Sequence, residues 1–157
     1  MESKYLHSGI TSDILKAFFK VYNTLGYGFL EKVYQNAMCI ELRKMGYECI
    51  PNSGIHVYYE GEEVGYYSSD IVVNKVVIAE LKAKEALREE HEAQFINYLR
   101  ATDIEVGMLL NFGPRPEYKR KVFSAEYKSH RPRSLMQWSK LIMRNHDNHE
   151  NLRSGFR

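Results

Sequence analysis

Cysteine is scarce in this chain: only Cys39 and Cys49 occur among 157 residues. They form no CxxC pair, and two thiols cannot build a four-cysteine zinc or iron–sulfur site. Both are expected to stay reduced, in or near the core. No stretch approaches the roughly 18 apolar residues of a membrane span. The opening residues, Met1-Glu2-Ser3-Lys4-Tyr5-Leu6-His7, hold no apolar leader region. The expected setting is therefore the cytoplasm, with no membrane partner. A Gly-rich phosphate loop and a GxSxG elbow are also missing. His91-Glu92-Ala93-Gln94-Phe95 is not HExxH, because Phe95 stands where the second histidine would be. His146 and His149 have metal-like spacing, but they lie in a polar tail and read as surface.

The length suits one domain with a real core. Charge is unevenly spread. Residues 1–114 carry 11 Lys/Arg against 16 Asp/Glu, and residues 115–157 carry 11 against 4. An acidic body followed by a basic extension suits contact with a polyanion, a nucleic acid above all. Lys119, Arg120 and Lys121, and further on Arg131 and Arg133, are the candidate phosphate contacts.

Thr11 or Ser12 can cap a first helix carrying Ile14, Phe18, Val21 and Leu25, which Gly26 ends. A second helix runs from Gly28 to Gly46, with Leu30, Val33, Tyr34, Ala37, Met38 and Leu42 as its apolar stripe. Pro51-Asn52-Ser53-Gly54 reads as a break between a short strand over 47–50 and a strand over 55–59. Residues 64–73 and 76–83 read as strands around Asn74-Lys75. A helix over 85–100 places Leu87, His91, Gln94, Phe95, Tyr98 and Leu99 on its inner side, and an apolar strand over 106–111 follows. Residues 118–123 suit one more strand. The order predicts an α/β fold, a mixed central β-sheet flanked by helices. Beyond it, 124–157 is expected to be a basic extension. Ser134 and Gln137 there suggest a capping box for a short amphipathic helix (Leu135, Trp138, Leu141, Ile142), before a disordered end. That helix could dock on the body or on a second copy, giving a homodimer.

Chemistry concentrates in Ile78-Ala79-Glu80-Leu81-Lys82 and in Asp70, which opens the run Ile71-Val72-Val73. In a strand, Glu80 and Lys82 share one face. Charges in an apolar run are costly to bury unless they are paired or hold a metal. Asp, a short hairpin and then Glu-x-Lys can hold a divalent ion on two carboxylates, with a lysine beside the attacking water of a phosphodiesterase. A regular two-residue hairpin at Asn74-Lys75 would set Asp70 opposite Ala79 and turn Glu80 away. Convergence requires a three-residue loop, a bulge or a local twist. Glu31 at the start of the second helix suits the helix dipole, and Gln94 and Tyr98, four apart on the third, read on their own as a polar edge of its core stripe.

Gly28-x-x-Glu31-x-x-Tyr34-x-x-Ala37 resembles the GxxExxY proteins, a branch of the PD-(D/E)XK nuclease superfamily. The likeness continues through Asp70-Ile71-Val72-Val73, Ile78 to Ala83, His91 to Thr102 and Val106 to Gly113, and fades after Val122. It implies a restriction-endonuclease-like core over residues 1–123, with Asp70 and Glu80 as metal ligands and Lys82 beside them. Glu31 would be a further acidic contributor. Gln94 and Tyr98 resemble the QxxxY signature of RecB-like nucleases. The implied cofactor is Mg²⁺ or Mn²⁺, and the implied substrate is DNA rather than RNA. A binding module without turnover, on the same fold, is the alternative.

Overall fold

The computed structural model describes residues 6–124. Arg131, Arg133, the Ser134–Gln137 capping box, the Trp138 stripe and His146/His149 lie outside them.

Helix α1 spans Ser8–Leu25 and buries Thr11, Ile14, Ala17, Phe18 and Val21, at helical spacing. It starts earlier than expected, without a side-chain cap. Thr11 lies inside the first turn, where its hydroxyl donates to the Ser8 carbonyl at 3.2 Å, so neither Thr11 nor Ser12 is the cap. Helix α2 spans Glu31–Lys44. Its buried face is Tyr34, Gln35, Met38, Cys39 and Leu42, while Leu30 and Val33 are exposed and fall outside the expected stripe. Tyr34 ties the link before α2. Its hydroxyl donates to the Gly26 carbonyl at 2.7 Å and accepts from the Phe29 N–H at 3.2 Å. Cys39 and Cys49 are buried free thiols, and the Cys49 thiol donates to Cys39 Sγ at 2.8 Å.

The sheet holds β1 (Cys49–Tyr59), β2 (Glu62–Val73), β3 (Val77–Lys82), β4 (Val106–Phe112) and β5 (Pro116–Val122), in that spatial order. All neighbours are antiparallel except β3 and β4. A parallel pair needs a crossover, and α3 (Glu89–Ala101) supplies it. The third helix thus begins four residues later than expected, with His91 Nδ1 accepting from the Arg88 N–H at 3.0 Å at its start. This is the mixed α/β architecture read from the sequence, with β5 where a last strand was expected.

Alternation sorts the sheet into two layers. Ile71, Val73, Val77, Ala79, Leu81, Val106, Met108, Leu110 and Phe112 pack with α1 and α2. Val72 and Ile78 turn to the other side and pack with Leu99 of α3. Asp70, Glu80 and Lys82 fall on this α3 side by the same alternation. Gln94 is exposed and lies outside the buried stripe of Phe95 and Leu99.

The β1–β2 hairpin outruns the sheet. Its register is continuous from Cys49↔Val73 to Val57↔Gly65, so the expected break at 51–54 lies within one strand. Yet Asn52 takes a left-handed φ of 57° and falls between the pairs Pro51↔Ile71 and Ser53↔Ser69. Beyond it, Ile55 packs with Ala101 and Tyr98 on the α3 side, although simple alternation would place it with Pro51. Pairing of β2 with β3 covers only Ile71–Val73, so the outer hairpin leaves β3 at Asp70.

Close approach of α3 to β4 depends on Gly107. A Cβ built there would lie 2.4 Å from the Phe95 ring and 3.4 Å from Leu99. Phe95 is fully buried and cannot yield. Gly107→Ala should therefore destabilise the protein by about 1–3 kcal/mol and displace α3. Urea unfolding measures it; an unchanged midpoint would contradict this packing.

Candidate functional site

Three residues, Asn74-Lys75-Val76, join β2 to β3, and the register Ile71↔Ala79, Val72↔Ile78, Val73↔Val77 follows. Asn74 and Lys75 both take left-handed φ, 49° and 59°. The odd loop length sets Asp70 across from Glu80 on one face, which a two-residue loop forbids. At this point the strands part, and the two carboxylates close the gap. The Asp70 N–H donates to Glu80 Oε1 at 3.2 Å. The Leu81 N–H donates to Asp70 Oδ2 at 2.7 Å.

Glu80 is 4% exposed and Asp70 is half-buried. Among the described residues, no lysine or arginine forms an ion pair with either. Burial, and then the neighbouring Asp70 charge, hold the Glu80 carboxyl well above the usual carboxylate range; Lys82 pulls weakly the other way. Two hard-oxygen groups of like charge, one buried and one half-buried, with no lysine or arginine in an ion pair with either among the described residues, fit a divalent ion. No group of three or more His, Cys, Asp or Glu gathers for a metal among the described residues. Remaining ligands would have to be water, substrate oxygens or backbone carbonyls.

Lys82, half-buried, donates to Gln94 Oε1 at 3.4 Å. Tyr98 sits one helical turn further along α3. Its phenol is pushed up to about 12, by burial first and then by Glu80, Tyr67 and Asp70, so it faces the carboxylate pair electrostatically. Glu31 comes from the opposite layer. It lines a cavity of about 620 Å³ with Phe29, Ala83, Lys84 and Gly113, just past Lys82. Gln94 and Tyr98 line a different cavity.

Two positioning residues were not anticipated. Gln35, buried on α2, donates to the Asp70 carbonyl at 2.7 Å and to Asn52 Oδ1 at 2.9 Å. It thereby clamps the left-handed Asn52 and fixes the backbone of Asp70. Its signal was its place between Tyr34 and Met38 on the buried arc. Asn111 is fully buried at the end of β4. It accepts from the Lys84 N–H at 2.9 Å and donates to the Lys84 carbonyl at 3.0 Å, fixing the chain as it leaves Lys82. Its signal was a polar residue closing an apolar run.

The basic candidates divide by face. Lys119 and Lys121 pair with Leu109 and Gly107, on the α3 side; Lys119 is exposed, and Lys121 is ion-paired to Glu92. Arg120 points to α1 instead, donating to the Leu6 carbonyl at 2.6 Å and to Thr11 Oγ1 at 3.4 Å. Arg120 is a strut for the start of α1, which the charge pattern alone did not reveal.

Glu80 is buried and Asp70 half-buried where β2 and β3 part, with Lys82 at the next same-face position. The family model of the PD-(D/E)XK nuclease superfamily matches residues 8–121, from α1 into β5, and the chain belongs to that superfamily. No curated protein and no solved structure matches it.

The raised Glu80 carboxyl has a stability consequence. Between its ordinary value and its folded value, the folded chain holds a proton that the unfolded chain has lost. Stability present at acid pH therefore declines as pH rises through that window. Glu80→Gln keeps the acceptor for the Asp70 N–H and removes the titration. In metal-free buffer at neutral pH, Glu80→Gln should melt several degrees higher than the native chain. That advantage should vanish at acid pH. Mg²⁺ should raise the native Tm more than the variant's. A variant that melts lower at neutral pH would contradict the buried like-charge pair.

Proposed function

We propose that this chain is a Mg²⁺- or Mn²⁺-dependent nuclease that hydrolyses phosphodiester bonds, acting on DNA rather than RNA. The observation that carries the reading is the facing Asp70 and Glu80 carboxylates, Glu80 buried and Asp70 half-buried, with Lys82 at the next same-face position. Membership of the nuclease superfamily supports it. The GxxExxY likeness and the RecB-like Gln94/Tyr98 spacing favour DNA, and nothing in the composition argues against a cytoplasmic setting.

Asp70 and Glu80 would hold the ion, which when bound offsets the charge of the scissile phosphate and supports the leaving oxygen. The Lys82 ammonium directs the attacking water and stabilises charge on the phosphoryl oxygens as they crowd. Gln94 holds Lys82 in that direction through its amide oxygen. Tyr98 keeps its proton at neutral pH and can donate it in a hydrogen bond to a non-bridging oxygen. Glu31, from the other layer, adds negative charge at the carboxyl end of β3 and acts through water rather than as a direct ligand. Lys119 meets backbone phosphate on the α3 side, with Arg131 and Arg133 extending the contact and Lys121 joining once released from Glu92.

Cleavage of single- and double-stranded DNA and RNA, with Mg²⁺, Mn²⁺ or EDTA, tests the reading. DNA should be cut only with the divalent ion, and Glu80→Ala and Lys82→Ala should each lose roughly a hundredfold or more in rate. Cleavage that persists in Glu80→Ala would refute the site. Tight binding with no cleavage of any substrate would make the chain a binding module instead.

A further inference from the structure

One cavity remains unassigned by that mechanism. It lies between the outer β1–β2 hairpin and α3, measures about 510 Å³, and is lined by Val57, Tyr67, Gln94, Asn97, Tyr98 and Arg100. This is within the about 300–1,000 Å³ of small-ligand sites. Its aromatic wall is the Tyr67–Tyr98 pair, with ring centroids 5.0 Å apart and planes tilted by 48°. Tyr67 is 42% exposed, so it is not a core residue, and one flank of its ring is open to a ligand. The rim is polar. Gln94 and Asn97 stand three apart on one face of α3 and present amide donors and acceptors. Arg100 donates to Asn97 at 3.4 Å and adds a cation.

The cavity exists because the hairpin turns. By plain alternation Tyr67 would share the face of Ile71 and Val73, away from α3. The left-handed Asn52, held by Gln35, marks where alternation fails and where Ile55 and its register partner Tyr67 come onto α3. The same irregularity sits at Asp70. The cavity lies beside the Lys82 position, because Gln94 both lines its rim and accepts from Lys82, and Tyr98 belongs to its tyrosine wall.

We infer that this cavity takes one unpaired nucleobase of the strand being cut, stacked on Tyr67 and Tyr98 with its edge on Gln94 and Asn97. Flat π-faces with an amide rim suit a base and its hydrogen-bonding edge. A paired base inside a duplex offers neither its face nor its Watson–Crick edge, so the chain favours single-stranded or locally opened substrate. The inference rests on the nuclease reading for the word "cut" alone; the base site itself is a matter of binding.

The test measures binding without turnover, on the full chain in EDTA, with a single-stranded oligodeoxynucleotide carrying 2-aminopurine and with the matching duplex. Binding of the single strand should quench the 2-aminopurine fluorescence. Tyr67→Leu should abolish the quench and weaken single-strand affinity about tenfold, leaving duplex affinity unchanged. Tyr67→Phe keeps the ring face and should restore both. An unchanged single-strand affinity in Tyr67→Leu, equal losses for strand and duplex, or no oligonucleotide binding at all would overturn the inference. Quenching by a native chain that cuts nothing would keep the base site and remove the nuclease reading. Cutting with no effect of Tyr67→Leu would do the reverse.

Discussion

Two carboxylates facing each other out of water are the constraint around which this fold is arranged. Asp70 and Glu80 repel, and burial of Glu80 makes that repulsion expensive. The chain tolerates it because each carboxylate accepts a backbone N–H of the other strand, Asp70 from Leu81 and Glu80 from Asp70. Those bonds replace ladder bonds where β2 and β3 part. Under the proposed reading a cation would complete the site, and the local instability would be the counterpart of that affinity.

Each layer then serves the pair from its own side. On one face, Gln35 reaches from α2 to the Asp70 carbonyl and to Asn52, so the helix that packs the core also sets the backbone of the acidic strand. On the other face, Gly107 lets α3 come close enough for Gln94 to meet Lys82 and for Tyr98 to face the carboxylates. Asn111 fixes the exit of β3 between them. The chemistry is thus held by elements that are themselves well packed, and the exposed groups are those that would meet substrate.

The sequence made part of this legible. Period-two alternation put Glu80 and Lys82 on one face, and counting back across the turn showed that Asp70 could join them only through a three-residue loop, a bulge or a local twist; the three-residue loop Asn74-Lys75-Val76 supplies it. The helices followed from apolar spacing, whereas the parallel pairing of β3 with β4 was not read from the sequence. Other features were hidden for identifiable reasons. Pro51 to Gly54 carry turn chemistry, yet strand pairing overrides it, and only the left-handed Asn52 records the conflict. Gln35 bonds to a backbone carbonyl 35 residues away, which no local pattern encodes. Glu31 opens α2, where a carboxylate suits the helix start on its own account, so the residue alone did not mark a site. Arg120 looked like its neighbours Lys119 and Lys121 until alternation turned it toward α1.

The proposed metal site is tested by locating a divalent ion. Soaking crystals with Mn²⁺ and recording anomalous diffraction locates it directly. A manganese peak bridging the Asp70 and Glu80 carboxylates, with Lys82 close by and Glu31 outside its direct ligands, is the expected result. A peak held by Glu31 with none between Asp70 and Glu80, or no ordered manganese at either position, would contradict the assignment.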